Sequence, residues 1–206
     1  KIMSYIQDYW WVIIPIILLI SYKLIFRLFG IIIIPEDKIG LVTKKFVLFG
    51  ANKELPAGRI IAIDGEAGFQ AQPLAPGIYF WKWIWQYEIT QQSFTVIPEG
   101  KIGLIVAKDG KQLETGFILA RKVECDSFQD SEAFLRNGGR KGRQSAIITA
   151  GTYRINTFLF EISTYDMTHV NENMVGIVTT MDGMPVEEGN IAGRQVAGHN
   201  NFQDCD

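Results

Sequence analysis

Cysteine and histidine are scarce, with two of each in 206 residues. Cys125 and Cys205 form no Cys-x-x-Cys pair and join no Cys/His cluster, so a zinc site has no ligand set, and a buried or idle thiol in a reducing compartment is the simpler reading. His169 and His199 stand alone; His199 near Asp204 does not make a metal site. No Gly-x-Ser-x-Gly turn is present to raise a nucleophilic serine, and no glycine-rich loop ends in Gly-Lys-Ser/Thr to hold phosphate. Charge of one sign is also lacking: the formal net charge is -2, and no base-reading motif accompanies the basic residues, so nucleic acid is not indicated. Carboxylate pairs such as Glu187-Glu188 lie in turns and read as solvated. No catalytic residues, cofactor or metal are assigned, and a non-enzymatic protein is expected.

The strongest local bias is an apolar N-terminus. From Tyr9 to Tyr22 the chain carries no charge, and with Lys23 and Arg27 snorkelling the stretch extends to Phe29. A membrane span needs about 20 apolar residues, so one transmembrane helix is expected over residues 1–30. No Ala-x-Ala site follows for a cleaved signal, and a core helix would have to hide an all-apolar segment inside a small β-rich domain. Trp10 and Trp11 sit at one end as interfacial aromatics do. Lys23, Arg27, Lys38, Lys44 and Lys45 gather at the other, which places the C-terminal part in the cytoplasm by the positive-inside tendency. The expected location is the bacterial inner membrane, single-pass, with the lipid bilayer and other membrane proteins as partners.

One phrase returns three times: Ile34-Pro35-Glu36-Asp37-Lys38-Ile39-Gly40-Leu41-Val42, Ile97-Pro98-Glu99-Gly100-Lys101-Ile102-Gly103-Leu104-Ile105 and Val170-Asn171-Glu172-Asn173-Met174-Val175-Gly176-Ile177-Val178. Such self-similarity marks a chain built by repeating one supersecondary unit. Leu55-Pro56-Ala57-Gly58 is answered by Leu113-Glu114-Thr115-Gly116 and Val186-Glu187-Glu188-Gly189, and Asp109-Gly110 by Asp182-Gly183. The pairs Phe69-Gln70, Phe128-Gln129 and Phe202-Gln203 are read as a further shared mark. Modules are therefore expected over 31–93, 94–166 and, in part, 167–206. The chain opens on Lys1 and stops before a third closing turn, so a longer polypeptide is expected.

Short β-type runs bounded by Gly, Pro and Asn predict a mainly β (α+β) protein of tandem small modules after the helix. Strands are expected at 38–49, 59–63, 78–89, 94–96, 101–107, 118–123, 145–148, 153–162 and 174–180, with one short helix capped by Ser131 and stopped at Asn137-Gly138. Proline at the head of each repeat strand costs no ladder donor. Recurrent Gly40, Gly103 and Gly176 imply the same close contact in every unit.

The phrase Ile-Pro-Glu-x-Lys-Ile-Gly-Leu-Val-Thr-Lys-Lys-Phe, with Gly65-Glu66-Ala67-Gly68-Phe69-Gln70-Ala71, Leu74-Ala75-Pro76-Gly77-Ile78-Tyr79-Phe80 and Met174-Val175-Gly176-Ile177-Val178-Thr179-Thr180, resembles the N-terminal region of bacterial flotillin-like proteins of the stomatin, prohibitin and flotillin (SPFH, band 7) superfamily. The resemblance implies a membrane-anchored scaffold of β-rich modules without catalytic chemistry, assembling through a helical region that is lacking here.

Two surfaces are singled out. On one strand, Tyr79, Trp81, Trp83, Trp85 and Tyr87 would share a face, either packed as core or turned to a membrane interface or partner. The loop Gly138-Gly139-Arg140-Lys141-Gly142-Arg143 reads as a solvated turn or, through Arg140, Lys141 and Arg143, as a contact for anionic lipid head groups. The leading expectation is a scaffold or docking protein, with homo-oligomers among its assemblies. The alternatives are an accessory subunit of a large respiratory or photosynthetic membrane complex, and a ligand-binding domain or enzyme.

Overall fold

The computed structural model describes residues 2–48, 54–179, 186–195 and 197–198, without the side chains of residues 2–9, 20 and 23. Cys205, His199, Asp182-Gly183 and Phe202-Gln203 lie outside the described residues. Helix α1 (Ile2–Leu28) is followed by strands β1 (Ile32–Ile34), β2 (Lys38–Lys44), β3 (Ile61–Ala62), β4 (Gly68–Gln70), β5 (Gly77–Tyr79) and β6 (Tyr87–Ser93). Then come β7 (Thr95–Ile97), β8 (Lys101–Ala107), helix α2 (Ser131–Arg136), β9 (Gly142–Arg143), β10 (Gly151–Tyr153) and β11 (Phe160–Asp166). The fold is mainly β.

The transmembrane expectation is corrected: among the described residues, no helix is long and apolar enough to cross a membrane. α1 has the length, but its uncharged stretch Tyr9–Tyr22 rises only about 21 Å at 1.5 Å per residue, short of a hydrocarbon core of about 30 Å. Extending it meets Asp8 on one side and Lys23 and Arg27 on the other. The single-pass anchor, and the inner-membrane location drawn from it, lose their basis. α1 closes at Gly30, whose φ of 73° suits a residue without Cβ. There the Gly30 amide donates to the Arg27 carbonyl (3.2 Å) and the Ile31 amide to that of Phe26 (2.8 Å).

The repeat is a structural duplication. β2 pairs antiparallel with β6 over Lys38↔Ser93 to Lys44↔Tyr87, and β8 with β11 over Lys101↔Asp166 to Ala107↔Phe160. The short strands β1 and β7 pair with β5 and β10. The repeated glycine lies where a strand must run close to other side chains. A Cβ on Gly40 would sit 2.5 Å from Ile34 Cδ1, and one on Gly103 would sit 2.5 Å from Ile97 Cδ1 and 2.6 Å from Ile148 Cγ1. Both strands also bond across that glycine, Gly40 to Leu74 and Gly103 to Ile148.

Register also corrects one repeat assignment. Ala62 pairs parallel with Gln70, and Ala120 with Gln144. The Ala71 amide donates to Ala62, as the Ser145 amide does to Ala120, both at 2.9 Å. The counterpart of Phe69-Gln70 is therefore Arg143-Gln144, not Phe128-Gln129. Side chains agree: the Gln70 amide reaches the carbonyls of Glu66 and Gly68, and the Gln144 amide those of Arg140 and Gly142. Between these landmarks the first unit makes a tight turn, in which the buried Glu66 carboxylate accepts from the Ile63 and Asp64 amides (3.1 and 2.8 Å). The second unit inserts a longer segment there, carrying Cys125, Phe128 and α2.

α2 matches its expected span, but its N-cap is Asp130, whose carboxylate accepts from the Ala133 amide at 2.8 Å; Ser131 is buried instead. Two inserted rings, Phe128 and Phe134, join Phe160 of β11 in the core. Phe128, Phe134 and Phe160 meet edge to face or tilted at centroid distances of 5.0 to 6.1 Å. Ile61 and Ala71 of the first unit belong to the same buried cluster as Ile97, Ile105, Ile155 and Leu159 of the second. The expected strand over 118–123 is reduced to a bridge at Ala120, and residues 174–179 form no strand.

Candidate functional site

Beyond the shared core, the two units are joined by side chains of the second that bind backbone of the first. β8 ends in the Asp109-Gly110 turn, where Gly110 has a φ of 136° and its missing Cβ would lie 2.5 Å from the Gly139 carbonyl oxygen. That close approach, which only glycine permits, aims the Asp109 carboxylate at the entry to β3. One oxygen accepts from the Ile60 and Ile61 amides, both at 2.7 Å, and the other from Gly110 at 2.7 Å. Asp109 is 2% exposed, so these charge-assisted bonds replace the water that the carboxylate gave up.

Asn156 makes the second contact. Its side-chain amide donates to the Gln70 and Ala71 carbonyls at 3.1 and 2.8 Å, while its side-chain oxygen accepts from the Phe158 amide at 3.0 Å. The side chain is fully buried and satisfied on both ends. Around it, Thr157 Oγ1 lies 2.5 Å from Gln92 Oε1, the Phe69 and Phe158 rings stand 4.3 Å apart, and Arg136 pairs with Asp64 at 2.8 Å on the surface. Asp109 is marked in the sequence only as part of a repeated Asp-Gly, and Asn156 carries no mark, because both act on backbone that any residue could provide.

The tryptophans do not share a strand face. The expected strand 78–89 is broken between β5 and β6, with Trp81 at a φ of 63°. The Gln86 and Tyr87 amides both donate to the Trp83 carbonyl (3.0 and 2.7 Å), folding the segment into a turn. This turn meets the end of α1: the Lys82 amide donates to Gly30 at 2.9 Å, and a Cβ on Gly30 would lie 3.3 Å from the Trp83 ring. The rings still form a ladder, Trp81 to Trp83 at 6.1 Å, Trp83 to Trp85 at 6.2 Å and Trp85 to Phe46 at 5.8 Å. Trp81 is 74% exposed, and Phe46, Phe80 and Trp85 are exposed beside it. The ladder is not core. Lys82 lies 4.7 Å from the Tyr87 ring centroid, and burial first, then the Lys44 charge, holds its amine below the usual lysine range. On α1, Trp10, Trp11 and Arg27 are exposed; the Lys23 side chain lies outside the described residues.

The basic loop is tied into the fold. Gly139 is buried against the Phe134 ring, where a Cβ would sit at 2.5 Å, and the Lys141 amide donates to Lys111. Arg140 is ion-paired with Glu114, whose carboxyl it holds below the usual range through its hydrogen bond and then its charge. Lys141 and Arg143 remain exposed. A cleft of about 290 Å³ lies near the junction, lined by Gln72 and Pro73 from one unit and Asp126, Gln129, Asp130 and Arg154 from the other. Cys125 is buried, and desolvation raises its thiol pKa; His169 is exposed. Among the described residues, no group of His, Cys, Asp and Glu is placed to hold a metal.

The flotillin-like resemblance rests on the quoted motifs alone: no family model, no curated protein and no solved structure matches this chain.

Proposed function

We propose that this protein is a non-enzymatic docking scaffold of the kind the flotillin-like motifs imply, acting through stacked β units and an exposed aromatic surface. The observation that carries the reading is the junction itself. Asp109 and Asn156 hold the neighbouring unit by its main chain, a contact independent of side-chain identity that allows units to diverge in sequence while keeping their stacking. Nearest-neighbour stacking is how repeat proteins extend a binding surface. The partner-facing part of that surface is the ladder around Trp81 and Trp85, since exposed clustered aromatics mark protein contacts more often than they occur by chance on a monomer.

Sedimentation velocity and native mass spectrometry on the protein isolated from its source test the reading. The expected result is a homo-oligomer or a stoichiometric complex well above the 23.3 kDa of one chain, reduced in size by Trp81→Ser with Trp85→Ser. A monomer at every concentration, unchanged by the double substitution, refutes it.

A further inference from the structure

The second unit carries a segment that the duplication does not need. Where the first unit passes from β3 to β4 in a tight turn closed by Glu66, the second runs from Ala120 to Gln144 through Cys125, Phe128 and α2. Phe128 and Phe134 of this insertion enter the core. Its polar residues Asp126, Gln129 and Asp130 line the cleft of about 290 Å³ whose other wall, at Gln72 and Pro73, belongs to the first unit.

The backbone of that wall is strained. Asp126, Ser127 and Phe128 have φ of 48°, 53° and 65°, a left-handed run that residues with a Cβ take singly and seldom in succession. Phe128, 3% exposed, pins the run to the core, while the Gln129 amide donates to the Asp126 carbonyl (3.0 Å) and the Asp130 amide to that of Cys125 (3.1 Å). Strain of this kind clusters at ligand sites, where the surrounding structure holds a shape the chain would not otherwise take.

The charges that line the cleft are not paired with each other. Arg154, just after β10, donates its amide to Gln129 Oε1 at 3.1 Å, but its guanidinium has no hydrogen bond or ion pair among the described residues. Asp130 uses one oxygen to cap the Ala133 amide, and Asp126 one oxygen on the Gln129 side-chain amide at 3.3 Å, which leaves each carboxylate a second oxygen. Ser131 lines the same cleft; it is 1% exposed, and its hydroxyl has no partner among the described residues. Buried hydroxyls are normally paired, so this one calls for a group from outside the chain. Ile39, Pro73 and Ala75 add an apolar side.

We infer that the cleft binds a small aliphatic α-amino acid in its zwitterionic form. The planar fork of Arg154 suits the carboxylate, and the free oxygens of Asp126 and Asp130 suit the ammonium. The Ser131 hydroxyl supplies a further hydrogen bond, and the ligand's side chain lies against Ile39, Pro73 and Ala75. An anion alone would meet two carboxylates and a cation alone would meet Arg154; a ligand carrying both charges satisfies all three. The volume stands at the small end of ligand pockets. Gln72 and Pro73 follow Ala71, whose carbonyl Asn156 holds at 2.8 Å, so the ligand touches both units at their junction.

The probes are L-alanine, L-valine and L-leucine, titrated into the 206-residue protein by calorimetry. Isocaproate and isoamylamine serve as leucine analogues without the ammonium and without the carboxylate. Saturable one-to-one binding of at least one amino acid is expected, with neither analogue bound, and with hydrogen exchange slowed in residues 72–75 and 126–131. Arg154→Gln should weaken binding at least about tenfold and leave melting unchanged, because the guanidinium has no partner to lose. Arg154→Lys keeps the charge without the fork and should fall between. Asp126→Asn with Asp130→Asn keeps a residue that tolerates the left-handed turn and keeps the helix cap, yet removes the charges facing the ammonium; binding should again fall at least about tenfold. No saturable binding of any of the three at up to about 10 mM, an analogue bound as tightly as leucine, or binding indifferent to Arg154→Gln overturns the inference.

Discussion

Replacing Asp109 by alanine removes the acceptor that the first unit's β3 depends on. Two amides lose their partner, that of Ile61 in a buried position and that of Ile60 in a half-buried one. An unsatisfied buried donor costs about 1–3 kcal/mol, and a bond to a charged acceptor about 1.5–3 kcal/mol. The Gly110 amide, also held by Asp109, lies at the turn and can reach water more readily. Asp109→Ala should therefore destabilise the protein by about 3–5 kcal/mol. For a chain of this size that lowers Tm by roughly 6–20 °C. Asp109→Asn retains one acceptor oxygen without the charge and should cost about half as much. Thermal melts followed by circular dichroism give the total, and hydrogen exchange locates it: the Ile60 and Ile61 amides should lose protection before those of β8. The control is Asp64→Ala, which breaks only the surface pair with Arg136 and should stay within about 0.5 kcal/mol of the parent. An Asp109→Ala protein that melts with the control would refute the idea that this carboxylate fastens the units together.

Other substitutions test the duplication and the surface. Gly103→Ala and Gly40→Ala drive a Cβ into neighbouring isoleucines and should each cost about 1–3 kcal/mol in denaturant titrations, whereas Gly176→Ala, facing one movable valine methyl, should be nearly neutral. A loss at Gly176 as large as at Gly40 and Gly103, or a loss at only one of those two, would refute the packing argument. Asn156→Ala leaves the Gln70 and Ala71 carbonyls and the Phe158 amide short of partners and should cost about 2–4 kcal/mol, with exchange rising at Ala71–Gln72; no change there would sink the junction assignment. Cys125 should resist iodoacetamide at mildly alkaline pH and react after denaturation, as peptide mapping of its alkylation would show, because burial both shields the sulfur and disfavours the thiolate.

Local chemistry decided what the sequence alone could show. The run Lys101–Ala107 and the helix over Ser131–Arg136 depend on neighbours within a few residues, so period and turn residues were enough to place them, whereas Pro35 and Pro98 lie in the turns before β2 and β8 and not at the strand heads. The apolar N-terminus reads clearly as a helix, and α1 is one, but crossing a bilayer requires an apolar length that charges at Asp8, Lys23 and Arg27 cut short. Tertiary structure alone decided the rest. The Phe-Gln alignment failed because the parallel pairings Ala62↔Gln70 and Ala120↔Gln144, not sequence likeness, make Gln144 the counterpart of Gln70. The tryptophan strand failed because the end of α1 takes the Lys82 amide and Trp81 turns left-handed, which no alternation of residue types reveals. Asp109 and Asn156 were invisible as joining residues because their partners are main-chain groups of the other unit, identical in chemistry wherever they occur. The sequence set the repeating strand and its turns; the fold alone determined how one unit grips the next.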